Sequence, residues 1–250
     1  MKYGICPISI APLRLEANDT SEMVSQVLYG EHFKVVESRA KWSKIRLAHD
    51  SYEGWIDNKQ FREIESEQYH DVDKTKLVFQ NELIAHVTHA NDTLSMTTMG
   101  AQLSSVFFLT DTAVLPVVDD ESPRTIIIKN ALILLNSPYL WGGRSPLGID
   151  CSGFTQLVYR LAQVKLLRDA NQQATQGEAL SFIEEAENGD LAFFDNNEGK
   201  ITHVGIIIND NYIIHAHGKV RIDMLDQSGI FNLESKKHTH KLRMIKKIIP

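Results

Sequence analysis

Only two cysteines, Cys6 and Cys151, occur among 250 residues, and they lie far apart in the chain. A disulfide framework needs more of them, so the fold is not stapled, and Cys6 reads as a small buried apolar side chain. No stretch reaches the ~20 apolar residues that a membrane-spanning helix requires. The N-terminal run MKYGICPISIAPLRLE lacks the continuous apolar core of an export signal. The expectation is therefore a cytoplasmic protein, although a chain from which such a signal had been removed would read the same way and lie in the periplasm. A basic excess is missing as well. With 26 Lys+Arg against 32 Asp+Glu the formal net charge is −6, which argues against nucleic acid or an anionic membrane as partner.

What is present is an ordinary globular composition, 43% hydrophobic and 23% charged, in a chain long enough for one large or two to three small domains. Over the first ~65 residues, short runs alternate apolar and polar positions between turn residues, as in SQVLYGEHFKVVES, KWSKIRLA and EGWIDNKQF. This pattern predicts a small bent β-barrel, and it resembles bacterial SH3-like domains, with Gly54-Trp55-Ile56 as their characteristic strand. Trp42 and Trp55 are expected in the barrel core. Residues 65–78 read as a linker or surface helix. Three further strands are expected in LIAHVTHA, TLSMTTMG and SVFFLTD, as a second, degenerate SH3-like unit within 65–118.

From residue 119 the pattern changes. Asp119-Asp120-Glu121-Ser122-Pro123 is an acidic helix start, and Ile126, Ile127, Ala131, Leu134 and Leu135 carry helical spacing to Leu135. A Gly-rich loop follows, then a helix from Cys151 to about Gln163, then strands in DLAFFD, THVGIIIN, YIIHAHG and KLRMIKKII. Helices first and a sheet second make an α+β domain over 119–250. The Lys/His run between Ser235 and Lys247 reads as a solvated strand and turn.

Cys151 opens the central helix, where free backbone N–H groups and the positive dipole end are expected to favour thiolate and to bind an oxyanion. The hairpin pattern supplies partners. If Ile208 pairs with Tyr212, Gly205 faces His215, His203 faces His217, and His215 lies diagonal to His203 within imidazole reach. A base with an orienting partner follows, with His215 and His217 both eligible for the second role. The three histidines have the donors for zinc, but a Cys–His pair leaves no role for a metal, and no metal or other cofactor is expected.

Trp141-Gly142-Gly143 before Asp150-Cys151-Ser152-Gly153-Phe154, then Gly189-Asp190-Leu191-Ala192-Phe193-Phe194, then Thr202-His203-Val204-Gly205-Ile206 resemble the NlpC-type cell-wall peptidases, in family order across residues ~123–225. The resemblance implies a papain-like fold with Cys151 as nucleophile, His203 as base and His215 as third residue. It also implies Tyr139 near the reacting carbonyl as an oxyanion donor. SH3-like domains in front resemble the subgroup of γ-D-glutamyl-diamino-acid peptidases acting on muropeptides with a free N-terminus. There Asp150 and Ser152 would face the substrate amine, with Tyr52 and an acid, here Glu22, contributed by the first domain. At Arg168-Asp169-Ala170 the chain departs from relatives that carry serine in place of Ala170. The implied reaction is hydrolysis of L-Ala-γ-D-Glu-diamino acid after γ-D-Glu by a monomer whose partner is this small peptide. Two other readings are an amidase or acyltransferase on the same fold, and a cell-wall-binding protein with an inactive catalytic domain.

Overall fold

The computed structural model describes residues 2–116, 121–209 and 211–249, and its contacts divide the chain into two compact units. One comprises Met1–Asp119 with Trp141–Pro146, the other Asp120–Leu140 with Leu147–Pro250.

In the first unit seven strands form one antiparallel sheet: β1 (Lys2–Ile5), β2 (Ile10–Arg14), β3 (Met23–Leu28), β4 (His32–Ser38), β5 (Trp42–Leu47), β6 (Glu53–Asp57) and β7 (Arg62–Ile64), in the order β3-β2-β6-β5-β4-β1-β7. Alternation builds its core. Phe33 pairs with Leu47 and Val35 with Ile45, and these side chains pack with Leu13, Val27 and Ile56. Gly54 is obligatory where β6 passes β2, because a Cβ there would lie 2.5 Å from Leu13 Cγ. Trp42 and Trp55 are buried, with the Arg39 guanidinium 4.2 Å from the centre of the Trp55 ring.

The segment expected to hold a linker and a second SH3-like domain contributes to this same unit. It begins with α1 (Ser66–Lys74), started by a Glu65–Gln68 capping box and docked through buried Tyr69 and Val72. A three-stranded sheet of β8 (Ile84–Thr88), β9 (Leu94–Thr98) and, after α2 (Val106–Leu109), β10 (Thr112–Ala113) follows. Val87, Leu103 and Leu109 share a core with Ile5, Tyr29 and Tyr69. SVFFLTD, expected as a strand, is instead a 3₁₀ turn leading into α2, ended by Thr110 in the left-handed region (φ 61°). A four-residue apolar run carries no periodicity that separates strand from helix, and packing decided it. The unit also takes in β11 (Arg144–Ser145), where buried Arg144 forms two 3.0 Å contacts with the Glu31 carboxylate and donates to Gln26 O at 2.6 Å. Gly142, at φ +76°, passes so close to Met23 O that a Cβ would clash.

The second unit begins with α3 (Pro123–Ile133), capped by Ser122, which accepts from Thr125 N, with Pro123 in its first turn. Asp119 and Asp120 of the expected acidic start lie outside the described residues, as does Asp210 of the hairpin turn. After β12 (Gly148–Ile149) come α4 (Cys151–Leu161) and α5 (Ala170–Gln173), then β13 (Glu178–Leu180), β14 (Leu191–Asp195), β15 (Ile201–Ile208), β16 (Tyr212–His217), β17 (Lys219–Asp226), β18 (Gly229–Asn232) and β19 (Lys237–Lys247). Their order is β13-β19-β14-β15-β16-β17-β18, and β19 pairs with β18 through its first half and β14 through its second, so the sheet closes on itself. α4 packs on α3, β15 and β16, which brings its first residue to the strand that carries His203. No helix among the described residues is long and apolar enough to cross a membrane.

Candidate active site

Asp150 caps α4, its carboxylate accepting from Gly153 N at 2.6 Å. The same carboxylate receives both terminal nitrogens of Arg168, at 3.1 and 2.6 Å. Arg168 Nη1 also donates to Ser152 Oγ at 3.0 Å. Arg168 is the largest fully buried side chain described in the protein. The negative charge beside the nucleophile is thus half of a buried ion pair.

Cys151 is 7% exposed, with its sulfur 4.0 Å from Thr202 O, immediately before His203. Burial pushes its thiol up to about 12, and Asp150 acts in the same direction. Hydrogen bonding to the Val204 and Ser152 backbone and the charge of Arg168 act against this without overcoming it. The thiolate expected from the helix N-terminus is therefore not the resting form, because desolvation outweighs the dipole. Iodoacetamide should label Cys151 slowly at neutral pH, the rate climbing about tenfold per pH unit between 7 and 10, followed by mass spectrometry of the Cys151 peptide. A plateau reached below pH 8 would contradict this. It follows that low thiol reactivity at neutral pH does not by itself mark an inactive domain.

His203 is buried, and burial, followed by the proximity of His215, His240 and His217, drives its imidazole well below 6.5. The resting pair is thus thiol and neutral imidazole. The hairpin has the expected register, Ile208 opposite Tyr212 and Gly205 opposite His215. Gly205 is required there, since a Cβ would meet His215 Cβ at 2.9 Å. His203 Nε2 and His215 Nδ1 are 2.8 Å apart, whereas the exposed His217 ring is 6.4 Å from that of His203, centre to centre. His215, not His217, is the hydrogen-bonded partner.

Residues 136–242 match the NlpC/P60 family, and residues 13–61 match the bacterial dipeptidyl-peptidase SH3 domain. The chain carries an NlpC/P60 domain behind an SH3 domain. It is 27% identical over 216 residues to the gamma-D-glutamyl-L-lysine dipeptidyl-peptidase of Bacillus subtilis, covering 77% of this chain and 71% of that protein. It is 27% identical over 254 residues to dipeptidyl-peptidase 6 of Lysinibacillus sphaericus, covering 87% and 90%. The crystal structure of an NlpC/P60 family protein from Bacillus cereus superposes with a TM-score of 0.80 at 20% identity, covering 99% of this chain and all of that one. The fold is the papain-like one.

Elsewhere in the NlpC/P60 domain, half-buried Tyr139 bridges to Ile149, just before Asp150. Burial, then Cys151 and Asp150, push its hydroxyl up to about 12, so it stays protonated and able to donate. Tyr52 and Glu22 lie in the first unit. Tyr52 packs on the barrel core. Exposed Glu22 accepts from Trp141 Nε1 at 2.6 Å. No group of three or more His, Cys, Asp or Glu among the described residues is placed to hold a metal ion.

The sequence reading missed the part played by Arg168, although its triplet was noted, and it missed Asp223 and Arg221 altogether. The signal for these two was local. Gly218 permits a tight turn, and counting back from it sets Arg221 opposite His215, with Asp223 one diagonal away. His240, expected on a solvated strand, instead stacks on His203 at 4.2 Å between ring centres. The bend that lets β19 pair with both neighbours turns it inward, and burial followed by the neighbouring histidines lowers it to about 4.

Proposed function

We propose that this chain is a cysteine peptidase that hydrolyses the γ-D-Glu–diamino acid bond of free-N-terminus stem peptides, L-Ala-γ-D-Glu-diamino acid. Cys151 is the nucleophile, His203 the base and His215 its orienting partner. The domain pair makes the chain a peptidase of the NlpC/P60 kind, and the similar proteins named gamma-D-glutamyl-L-lysine dipeptidyl-peptidase and dipeptidyl-peptidase 6 support the bond. The observation that carries the mechanism is the 2.8 Å His203–His215 contact on the strand against which the Cys151 sulfur packs.

With both partners neutral at rest, proton transfer accompanies attack. His203 takes the Cys151 proton as sulfur adds to the amide carbonyl. The carbonyl oxygen becomes an oxyanion, stabilised by first-turn N–H groups of α4 and the Tyr139 hydroxyl. The proton on His203 then passes to the leaving amine of the diamino acid as the C–N bond breaks. Water, deprotonated by His203, attacks the thioester, and the dipeptide acid leaves with the thiol restored.

Asp150 and Ser152 beside the nucleophile form the end that receives the substrate ammonium. An ammonium joining a carboxylate already held by a guanidinium makes a charge-assisted contact. Acetylation of the alanine nitrogen removes that charge and adds bulk. The expected result is a fall of at least tenfold in kcat/KM, or about 1.4 kcal/mol, when the free-amine tripeptide is replaced by its N-acetyl form. A smaller change would remove the amine site from the proposal and leave the catalytic roles standing.

A further inference from the structure

Behind His215 lies Asp223, fully buried on β17. Its carboxylate is surrounded by nitrogen groups. Oδ2 faces His215 Nε2 at 3.1 Å, Arg221 Nε at 2.7 Å and Asn232 Nδ2 at 3.3 Å. Oδ1 faces Arg221 Nη2 at 3.1 Å and Leu233 N at 3.1 Å. Guanidinium and backbone N–H groups only donate. The Asn232 amide is oriented by its own oxygen, which accepts from Glu234 N and Ser235 N, so its NH₂ is the group that meets Asp223. Arg221 is anchored in turn by Glu234 at 3.0 Å.

Both carboxylate oxygens are therefore acceptors, which requires a proton on His215 Nε2. Burial keeps His215 neutral, so its Nδ1 is then a lone pair and accepts from His203 Nε2–H. That leaves His203 Nδ1 without a proton, the ring nitrogen of the His203–His215 pair that is left to act as a base. We propose that Asp223, held by Arg221, is a positioning residue that sets the tautomers of His215 and His203 and so makes His203 Nδ1 the atom that takes the Cys151 proton. This rests on the cysteine-peptidase reading above. Asp223 touches neither substrate nor the reacting atoms. It acts through two hydrogen bonds, and its charge also opposes the positive charge that His203 gains when it takes the proton. His217 and His240, the other rings around His203, are not among the hydrogen-bond partners of Asp223 and do not direct either tautomer.

Asp223→Asn is the informative change because it keeps shape while replacing one acceptor by a donor. Both oxygens of Asp223 accept from donors, so the new NH₂ meets a donor in either orientation; facing His215 Nε2 it turns that nitrogen into an acceptor, inverts the relay and places a proton on His203 Nδ1. The expected result is a fall in kcat of about 10²- to 10⁴-fold, the range for a histidine base held in the wrong tautomer, with KM changed less than threefold. Long-range ¹H–¹⁵N correlation of imidazole-labelled wild-type protein should show both His203 and His215 protonated at Nε2. The same spectra of Asp223→Asn should show His203 protonated at Nδ1. A folded Asp223→Asn protein with kcat within threefold of wild type would overturn the proposal. So would a wild-type His203 protonated at Nδ1, a measurement that stands even if the variant does not fold. An inactive Cys151→Ala beside a fully active Asp223→Asn would reject this relay alone, whereas an active Cys151→Ala would reject the reading on which it rests.

Discussion

Replacing Cys151 by alanine is expected to lower turnover at least about 10³-fold while leaving the fold and substrate affinity nearly unchanged. In the proposed reaction the Cys151 sulfur forms the covalent intermediate, and removing a nucleophile from a unit that acts together costs most of the rate. The sulfur is small, and its contact with Thr202 O, at 4.0 Å, is long, so its loss should cost about 1 kcal/mol of stability. The proposed substrate contacts lie on other groups, so a muropeptide should bind the variant with Kd within a few-fold of the wild-type value by calorimetry. Cys6→Ala is the matched control. That thiol is fully buried in the first unit and is likewise pushed up to about 12, and its removal should leave kcat unchanged. Turnover by Cys151→Ala above a few per cent of wild type would remove the mechanism.

The second large effect is on stability. Arg168→Met should destabilise the protein by about 3–5 kcal/mol, because it leaves the Asp150 carboxylate buried without its cation. For a chain of this size that is a fall in Tm of roughly 6–20 °C. The pair is bidentate at 3.1 and 2.6 Å, with Arg168 1% exposed, so solvent screens it little. Arg168→Met combined with Asp150→Asn should recover part of the loss, since the stranded charge is gone. Calorimetric unfolding of the three proteins measures this. A single-variant cost under about 1 kcal/mol would show that water or another cation reaches Asp150 when Arg168 is removed.

Read from the sequence alone, the molecule already has an SH3-like barrel in front, an α+β domain behind it, and Cys151, His203 and His215 as one constellation. These features are local. The Gly54-Trp55-Ile56 strand, the cap and first turn of α4, and a two-stranded hairpin with a short turn each follow from alternation, capping or chain connectivity over a few residues. The hairpin even gave His215 its diagonal to His203, because register in a short hairpin is set by its turn. Only the tertiary structure decided which charges meet. Arg168 reaches Asp150 across 18 residues of chain, His240 reaches His203 only through the bend of β19, and Asp223 gains Asn232 from the end of β18. The protonation of the site was decided there too. A helix N-terminus predicts a thiolate when Cys151 is considered with its own helix, but burial beneath β15 and beside Asp150 makes the neutral thiol the resting form. Desolvation depends on everything packed around a group, and no local pattern in the chain records it.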